Sequence, residues 1–179
     1  MPADDVDLEA VDFLVNQHAQ IRAGLREVAS AHGPAKAAAF ADLRRLITVH
    51  ETAEQLVLHP RMRDFEDADE LQVDTLLVQE RHGTELLAEL DRLDPASDEF
   101  DARFTRLAVE IIAHADHEEL EEFPLVRERL DADERLRMGR ALRVAEAAAP
   151  RHPQPAAQGA VGAIVDHVRK ALRDVFTSR

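Results

Sequence analysis

Apolar residues recur along this chain at alternating intervals of three and four residues, which is the spacing of one face of an α-helix. At a few positions where this period calls for an apolar residue, the chain has His or Glu instead. The four stripes are Val11, Leu14, His18, Ile21, Leu25 and Val28; Phe40, Leu43, Ile47, His50, Glu54 and Val57; Leu71, Thr75, Val78, His82, Leu86 and Leu90; and Phe100, Phe104, Leu107, Ile111, His114 and Glu118. The pattern predicts four amphipathic helices.

Turn-forming residues separate the four stripes. Gly33-Pro34 ends the first helix and opens the second, and Pro60 is expected to kink or loosen the end of the second. The third helix is predicted over residues 69–93, and residues 94–98 provide a stop, a turn and a new helix cap. Four amphipathic helices with short connections predict an all-α fold, an up-down-up-down four-helix bundle.

Two further helices are predicted after the bundle. Asp131, with Glu134 three residues later, is typical of a helix N-terminus, and residues 150–158 form a Pro-rich linker to a sixth helix with its own apolar stripe. That stripe must cover the bundle, a second copy of the chain or a partner, so a homodimer through the C-terminal helices is one prediction. The chain is therefore divided into a bundle domain, residues 1–130, and a helical C-terminal extension, residues 131–179.

Composition narrows the class of protein. The 179 residues are 45% hydrophobic and 32% charged, with six Gly and no Cys, which favours helices and excludes disulfides and thiolate metal sites. A net charge of −14 argues against a nucleic-acid partner, because binding to phosphates needs clustered cations. No apolar run approaches the roughly 20 residues of a membrane span, and the N-terminus lacks a signal peptide's basic and apolar regions. We expect a cytoplasmic protein without a membrane partner.

The polar residues on the stripes repeat with an offset of 64 residues. A His-x-x-x-Glu motif with a Pro ten residues after the His occurs twice, and a single His lies 32 residues before each motif. Positions i and i+4 of a helix share a face, so each motif presents an imidazole and a carboxylate in the same direction. The six residues of the repeat are His18, His50, Glu54, His82, His114 and Glu118.

Metal binding explains this set better than ordinary core packing does. A single His on an apolar stripe is usually a core residue with a hydrogen-bonded neighbour. A buried carboxylate without a partner, however, costs several kcal/mol, and the stripes carry His rather than Arg at the level of Glu54 and Glu118. Imidazole with carboxylate suits iron and also zinc, manganese or copper. Six ligands are too many for one tetrahedral zinc ion and suit two ions that share carboxylates.

The ordered set of residues resembles the hemerythrin-like (HHE cation-binding) domain over about residues 8–130. The resemblance implies a non-haem di-iron centre inside a four-helix bundle, with an oxo or hydroxo bridge derived from solvent. It gives the metal ligands as His18 and His50 for one iron ion, His82 and His114 for the other, and Glu54 and Glu118 as bridges.

The chain departs from the oxygen-carrying hemerythrins in two places. They have a fifth His one turn before the third-helix His, where this chain has Val78, and the family often has Tyr where this chain has His59. The implied centre is nearly symmetric, with an open position at each ion. An additional ligand role for His117 or His59 stays open. In the run 118–122, only Glu118 is expected to point inward.

Two open iron positions favour turnover of peroxide over reversible oxygen carriage. The leading hypothesis is a catalase-like di-iron oxidoreductase that decomposes peroxide in oxidative-stress defence, with no catalytic residue beyond the metal ligands. The first alternative is an O2 or NO sensor or carrier, in which residues 131–179, with nine basic and six acidic side chains, pass on the state of the centre. The second alternative is iron storage or detoxification.

Overall fold

The computed structural model describes residues 8–65 and 82–149, and every regular element in these ranges is a helix. The chain forms the predicted all-α four-helix bundle, followed by a further helix. The predicted sixth helix and residues 66–81 lie outside the described residues. The helices are α1, Ala10–Ser30; α2, Gly33–Ala53, which continues as Glu54–Leu58 and His59–Met62; α3, residues 82–90; α4, Asp98–His117, which continues as Glu118–Glu122 and Phe123–Arg129; and α5, Ala132–Ala148.

Helix boundaries follow local chemistry. The Glu9 carboxylate accepts hydrogen bonds from the first backbone N–H groups of α1, and the Ser97 hydroxyl does the same at the start of α4. Gly33 takes a positive φ of 57° between α1 and α2, a conformation that glycine adopts readily. The predicted capping box of Asp131 and Glu134 is present at the start of α5.

The buried side chains form two apolar clusters with a layer of polar residues between them. The first, which we call the distal cluster, is Ile21, Leu25, Val28, Ala39, Phe40, Leu43, Ile47, Leu86, Leu87, Leu90, Phe100, Phe104 and Leu107. The second, which we call the α5 cluster, is Ala10, Val11, Leu14, Ala53, Val57, Leu58, Met62, Phe123, Val126, Leu130, Met138, Ala141, Leu142 and Ala145. Along each of α1, α2 and α4, the chain passes from one cluster to the other through His or Glu residues of the stripe. The polar layer is therefore held between two hydrophobic cores.

Helix α5 packs directly on the bundle. Four of its residues share the α5 cluster with residues of α1, α2 and α4, so the hydrophobic core continues across the predicted boundary at residue 130. The closest approach is at Gly139, where an added Cβ would lie 2.3 Å from the carbonyl oxygen of Leu8. Only glycine lets the two backbones come this near.

Charged side chains cover the outer faces of the helices. On α4, Arg103 pairs with Glu99 and Arg106 pairs with Glu110, each one turn apart. Pairs of this kind stabilise a helix by a few tenths of a kcal/mol. Among helices in the described ranges, none is both long enough and apolar enough to span a membrane.

We predict that Gly139→Ala destabilises the protein. The new Cβ would collide with the backbone of residue 8, and relief of that clash would separate α5 from α1. Overpacking of this kind costs about 1–3 kcal/mol in the free energy of unfolding, measurable by urea denaturation.

Gly83→Ala is the matched control, because a Cβ at Gly83 in α3 meets nothing within 4 Å. It should leave stability unchanged or raise it by up to about 1 kcal/mol through helix propensity. Equal effects at the two glycines would contradict the close packing of α5 on the bundle.

Candidate metal centre

Two π-helical turns shape the polar layer. They are Glu54–Leu58 in α2 and Glu118–Glu122 in α4, so each begins at the Glu of a His-x-x-x-Glu motif. Each closes with a hydrogen bond from the backbone N–H of the next residue, His59 or Phe123, to the carbonyl of that Glu five residues earlier. A proline follows directly, and its ring would clash with the carbonyl four residues before it in a regular α-helix. The wide turn lets both helices continue past the proline.

Four of the six predicted ligands meet at one point. His18, His50, Glu54 and Glu118 each place a side-chain nitrogen or oxygen within 4.8 Å of the others, and all four are buried. The Nε2 atoms of His18 and His50 are 3.1 Å apart. Nε2 of His18 is 3.2 Å from Oε2 of Glu118, and Nε2 of His50 is 3.5 Å from Oε1 of Glu54.

A second group lies next to the first and shares its carboxylates. Nε2 of His114 is 3.2 Å from Oε1 of Glu118 and 3.9 Å from Oε1 of Glu51. Atoms of Glu51, Glu54 and His114 also lie within 4.8 Å of one another. Glu118 thus turns one oxygen towards His18 and the other towards His114, which is the arrangement that a bridging carboxylate requires.

His82 lies apart from these groups. Its side chain is 44% exposed, with Nε2 3.5 Å from Oε2 of Glu110 and accepting a hydrogen bond from Arg106 at 3.1 Å. Glu51, which the sequence analysis did not single out, occupies the position next to His114 instead. Val78, the other third-helix position of interest, lies outside the described residues.

Hydrogen bonds on the outer side of the two central imidazoles fix their tautomers. Nδ1 of His18 donates to Glu119 at 2.8 Å, and Nδ1 of His50 donates to Oε1 of Gln17 at 2.9 Å. Gln17 in turn donates through Nε2 to Glu146 of α5, which fixes the orientation of its amide. Because both Nδ1 atoms carry a proton, the Nε2 atom of each imidazole, in its neutral form, has a lone pair directed inward. Such carboxylate and amide partners are typical behind metal-bound histidines.

The two Nε2 atoms face each other, and their close approach is the strongest indication of a cation between them. Two lone pairs at 3.1 Å repel unless a proton or a metal ion lies between them. Burial, followed by repulsion from His18, lowers the pKa of His50 to about 3, so His50 is neutral at neutral pH and its Nε2 lone pair is available to a metal ion. Ligand atoms about 2.1 Å from one ion are at most about 4.2 Å apart, and the individual pair distances given above, from 3.1 to 3.9 Å, fall within that limit. The donor set therefore fits metal ions.

A third group extends the layer towards the α5 cluster. Atoms of His59, Glu118 and Glu122 lie within 4.8 Å of one another, and all three residues are buried. The prediction that only Glu118 of the run 118–122 points inward is therefore wrong. Glu122 is 4% exposed, and Glu119 bonds to His18.

The other open position, His117, stays outside all three groups. Its Nε2 is 4.0 Å from Oε1 of Glu122, and its ring is partly exposed. Helical spacing could have identified Glu122 as a candidate ligand, because it lies four residues after Glu118. The same spacing gives no such indication for His59. Only the π turn brings His59 one turn above Glu54.

The acidity of the buried carboxyls depends on their neighbours. Burial raises the pKa of Glu51 to about 7 and, with repulsion from Glu118, that of Glu122 to about 8. Burial opposes ionisation of Glu118 too, but attraction and hydrogen bonding from His114 and His18 outweigh it and hold its pKa below the usual range. A cation bound near Glu51 or Glu122 would therefore displace a proton.

A small cavity joins the first two groups. Its volume is about 10 Å³, room for about one water-sized molecule. Its polar lining is His18, Arg22, His50, Glu51 and His114, and three isoleucines form much of the apolar wall. The cavity thus touches both candidate ion positions and admits only a very small ligand.

Comparisons with known proteins agree with this geometry. A model of the hemerythrin HHE cation binding domain matches residues 9–126, more than half of the chain. A crystal structure of a hemerythrin HHE cation binding domain-containing protein from Mycobacterium kansasii is similar with a TM-score of 0.66 and 17% identity, over 96% of this chain and 94% of that one. That likeness shows the fold.

A DNA nickase from Nostoc sp. is 26% identical over 133 residues, which are 74% of this chain and 37% of that protein. The chain thus spans little more than a third of the length of this relative.

We predict that His50→Ala lowers the metal content and His82→Ala does not. His50 points into the shared layer, whereas His82 faces Arg106 and Glu110. Bound metal per chain, counted by plasma mass spectrometry, should fall in the first variant, and the thermal stabilisation given by metal should shrink with it. Loss of iron in His82→Ala would instead support the ligand role that the family resemblance gives to His82.

We also predict that the metal-free protein loses stability between pH 6.5 and 8. The pKa of Glu122 is raised to about 8 in the fold, so the native state binds a proton that the unfolded state has released. Stability then falls as pH rises, by up to about 1.4 kcal/mol per pH unit for one such group. Urea denaturation of chelator-treated protein at several pH values measures this slope.

Glu122→Gln should make that slope shallower, because the variant removes the raised titration. Glu121→Gln is the control, since Glu121 is exposed on the same turn. An unchanged slope in Glu122→Gln would show that Glu122 is ionised in the metal-free fold.

Proposed function

Since the chain belongs to the hemerythrin HHE cation binding domain family, we propose that its polar layer holds two iron ions and that the protein decomposes hydrogen peroxide. The observation that carries the proposal is the cavity of about 10 Å³, which is lined by His18, His50 and His114. The cavity has room for about one water-sized group, such as one oxygen of a peroxide, and a ligand there would face both proposed ion positions.

The ligands divide between two ions that share carboxylates. Three imidazoles and three carboxylates form a mixed nitrogen and oxygen set without thiolate, which suits iron. The proposed ligands are His18, His50, Glu54 and Glu118 for the first ion, and His114, Glu51, Glu54 and Glu118 for the second.

Peroxide disproportionation needs a two-electron centre. When bound, a pair of iron ions would supply the two-electron redox capacity for this reaction, in which one peroxide takes up two electrons and two protons to become two water molecules and a second peroxide gives up two electrons and two protons to become O2. The protein's own residues hold the ligands and shape the cavity. Glu119 and Gln17 keep the Nε2 lone pairs of His18 and His50 directed inward, and the isoleucines exclude larger molecules.

A second candidate function is sensing of O2 or NO. It is favoured by the hydrogen-bond chain from His50 through Gln17 to Glu146, because that chain links the candidate centre to α5. A change in the ligands of the centre would alter the bond at Nδ1 of His50 and so the seating of α5.

DNA nicking is not carried over from the Nostoc protein. The chain spans 37% of that relative, and a net charge of −14 opposes binding to phosphates.

The proposal is tested by oxygen evolution from peroxide, with iron counted on the same sample. We expect rapid evolution at about two irons per chain. Ile111→Phe should fill the cavity and slow evolution by about tenfold or more at unchanged iron content. Ile112→Phe is the matched control, because Ile112 points to the surface.

Evolution no faster than that of the same amount of free iron would overturn the peroxide proposal. A shift of the optical spectrum on adding NO, without turnover, would then support the sensor. If the spectrum shifts equally in Ile111→Phe, the cavity is not the ligand site.

A further inference from the structure

We propose that His59, Glu122 and Glu118 form a third cation site, for a divalent transition-metal ion, next to the two-ion centre. One ligand atom from each residue lies within 4.8 Å of the other two, and all three residues are buried. One imidazole and two carboxylates suit iron, manganese or zinc.

Glu122 provides the first argument. Both of its carboxylate oxygens are buried, and neither has a hydrogen-bond partner among the described residues. The ion pair that the structure gives it, with Nε2 of His117, is long at 4.0 Å. A buried carboxylate with so little compensation, close to a second carboxylate in Glu118, is very unfavourable unless a cation or a proton neutralises it.

The internal repeat provides the second, independent argument. With the offset of 64 residues, Glu122 corresponds to Leu58, and Phe123 corresponds to His59. Leu58 is fully buried in the α5 cluster, so this level of the bundle accepts a leucine without difficulty. Packing therefore does not require the carboxylate at 122.

The two residues that break the repeat, His59 and Glu122, also lie close to each other. One half of the repeat has Leu and His at these positions, and the other half has Glu and Phe. Yet the imidazole of His59 and the carboxylate of Glu122 both reach Glu118. Phe123 instead stacks on His18, with ring centroids 5.6 Å apart. The asymmetry thus adds two ligand atoms on one side of the bridging carboxylate.

Glu118 has the capacity for this role. A carboxylate has two oxygens with about four lone-pair positions in total. One position on Oε2 of Glu118 faces His18, and one on Oε1 faces His114, so each oxygen keeps a further position. Three protein ligands would leave further positions of the ion for water. His117, partly exposed beside Glu122, marks the side nearest to solvent.

The test counts ions in the full-length protein without using activity. Chelator-treated protein is dialysed against Zn²⁺, which does not change oxidation state, and bound zinc is measured per chain. We expect three ions for the wild type and two for Glu122→Leu, which copies the other half of the repeat. His59→Phe copies it too and should also bind two, whereas Glu121→Gln should bind three.

An anomalous difference map of zinc-soaked crystals should place the third ion between His59 and Glu122. Binding of only two ions by the wild type would overturn the proposal. Retention of a third ion by Glu122→Leu would also overturn it, because that ion would be an adventitious ion only. The two-ion centre is tested separately, because His50→Ala should lose an ion there and keep the one at Glu122. The two tests are therefore independent: the third site can be disproved while the peroxide proposal stands, and the peroxide proposal can be disproved while the third site stands.

Discussion

The approach of two imidazole nitrogens constrains the rest of this structure. Nε2 of His18 and Nε2 of His50 are 3.1 Å apart, and the bonds at both Nδ1 atoms direct both Nε2 atoms inward. The fold holds these two nitrogens in a buried layer, where a proton on His50 is strongly disfavoured. A cation turns the same arrangement from unfavourable to favourable. The bundle is therefore built around the demand for metal.

Rigid packing on both sides maintains that arrangement. The distal cluster and the α5 cluster pack α1, α2 and α4 against one another on either side of the polar layer. The imidazoles therefore cannot move apart. Helix α5 adds to this from outside the matched family region, through its share of one cluster and through Glu146 behind Gln17. The centre thus depends on α5 as well as on the four helices of the bundle.

The twofold repeat explains both the symmetry of the centre and its exceptions. Both His-x-x-x-Glu motifs enter a π turn at the Glu, and both turns precede a proline. Beyond the turns the halves diverge, with His59 in one and Glu122 in the other. The half of the repeat that contains α3 and α4 also differs from the half that contains α1 and α2. Its first histidine, His82, lies near the surface, and Glu51 of α2 approaches His114 instead. A symmetric scaffold thus supports an asymmetric set of ligands.

The sequence alone determined the four-helix bundle and four of the residues that meet in the first buried group, because helical periodicity and the cost of burying a carboxylate are properties of local spacing. It did not determine the neighbours of those residues. The place of His59 depends on a turn wider than the regular period, and the places of Glu51, Glu119 and His82 depend on how each helix is rotated against the others. Such rotations are set by packing between segments distant in the chain, so only the tertiary structure decided which side chains share the metal layer.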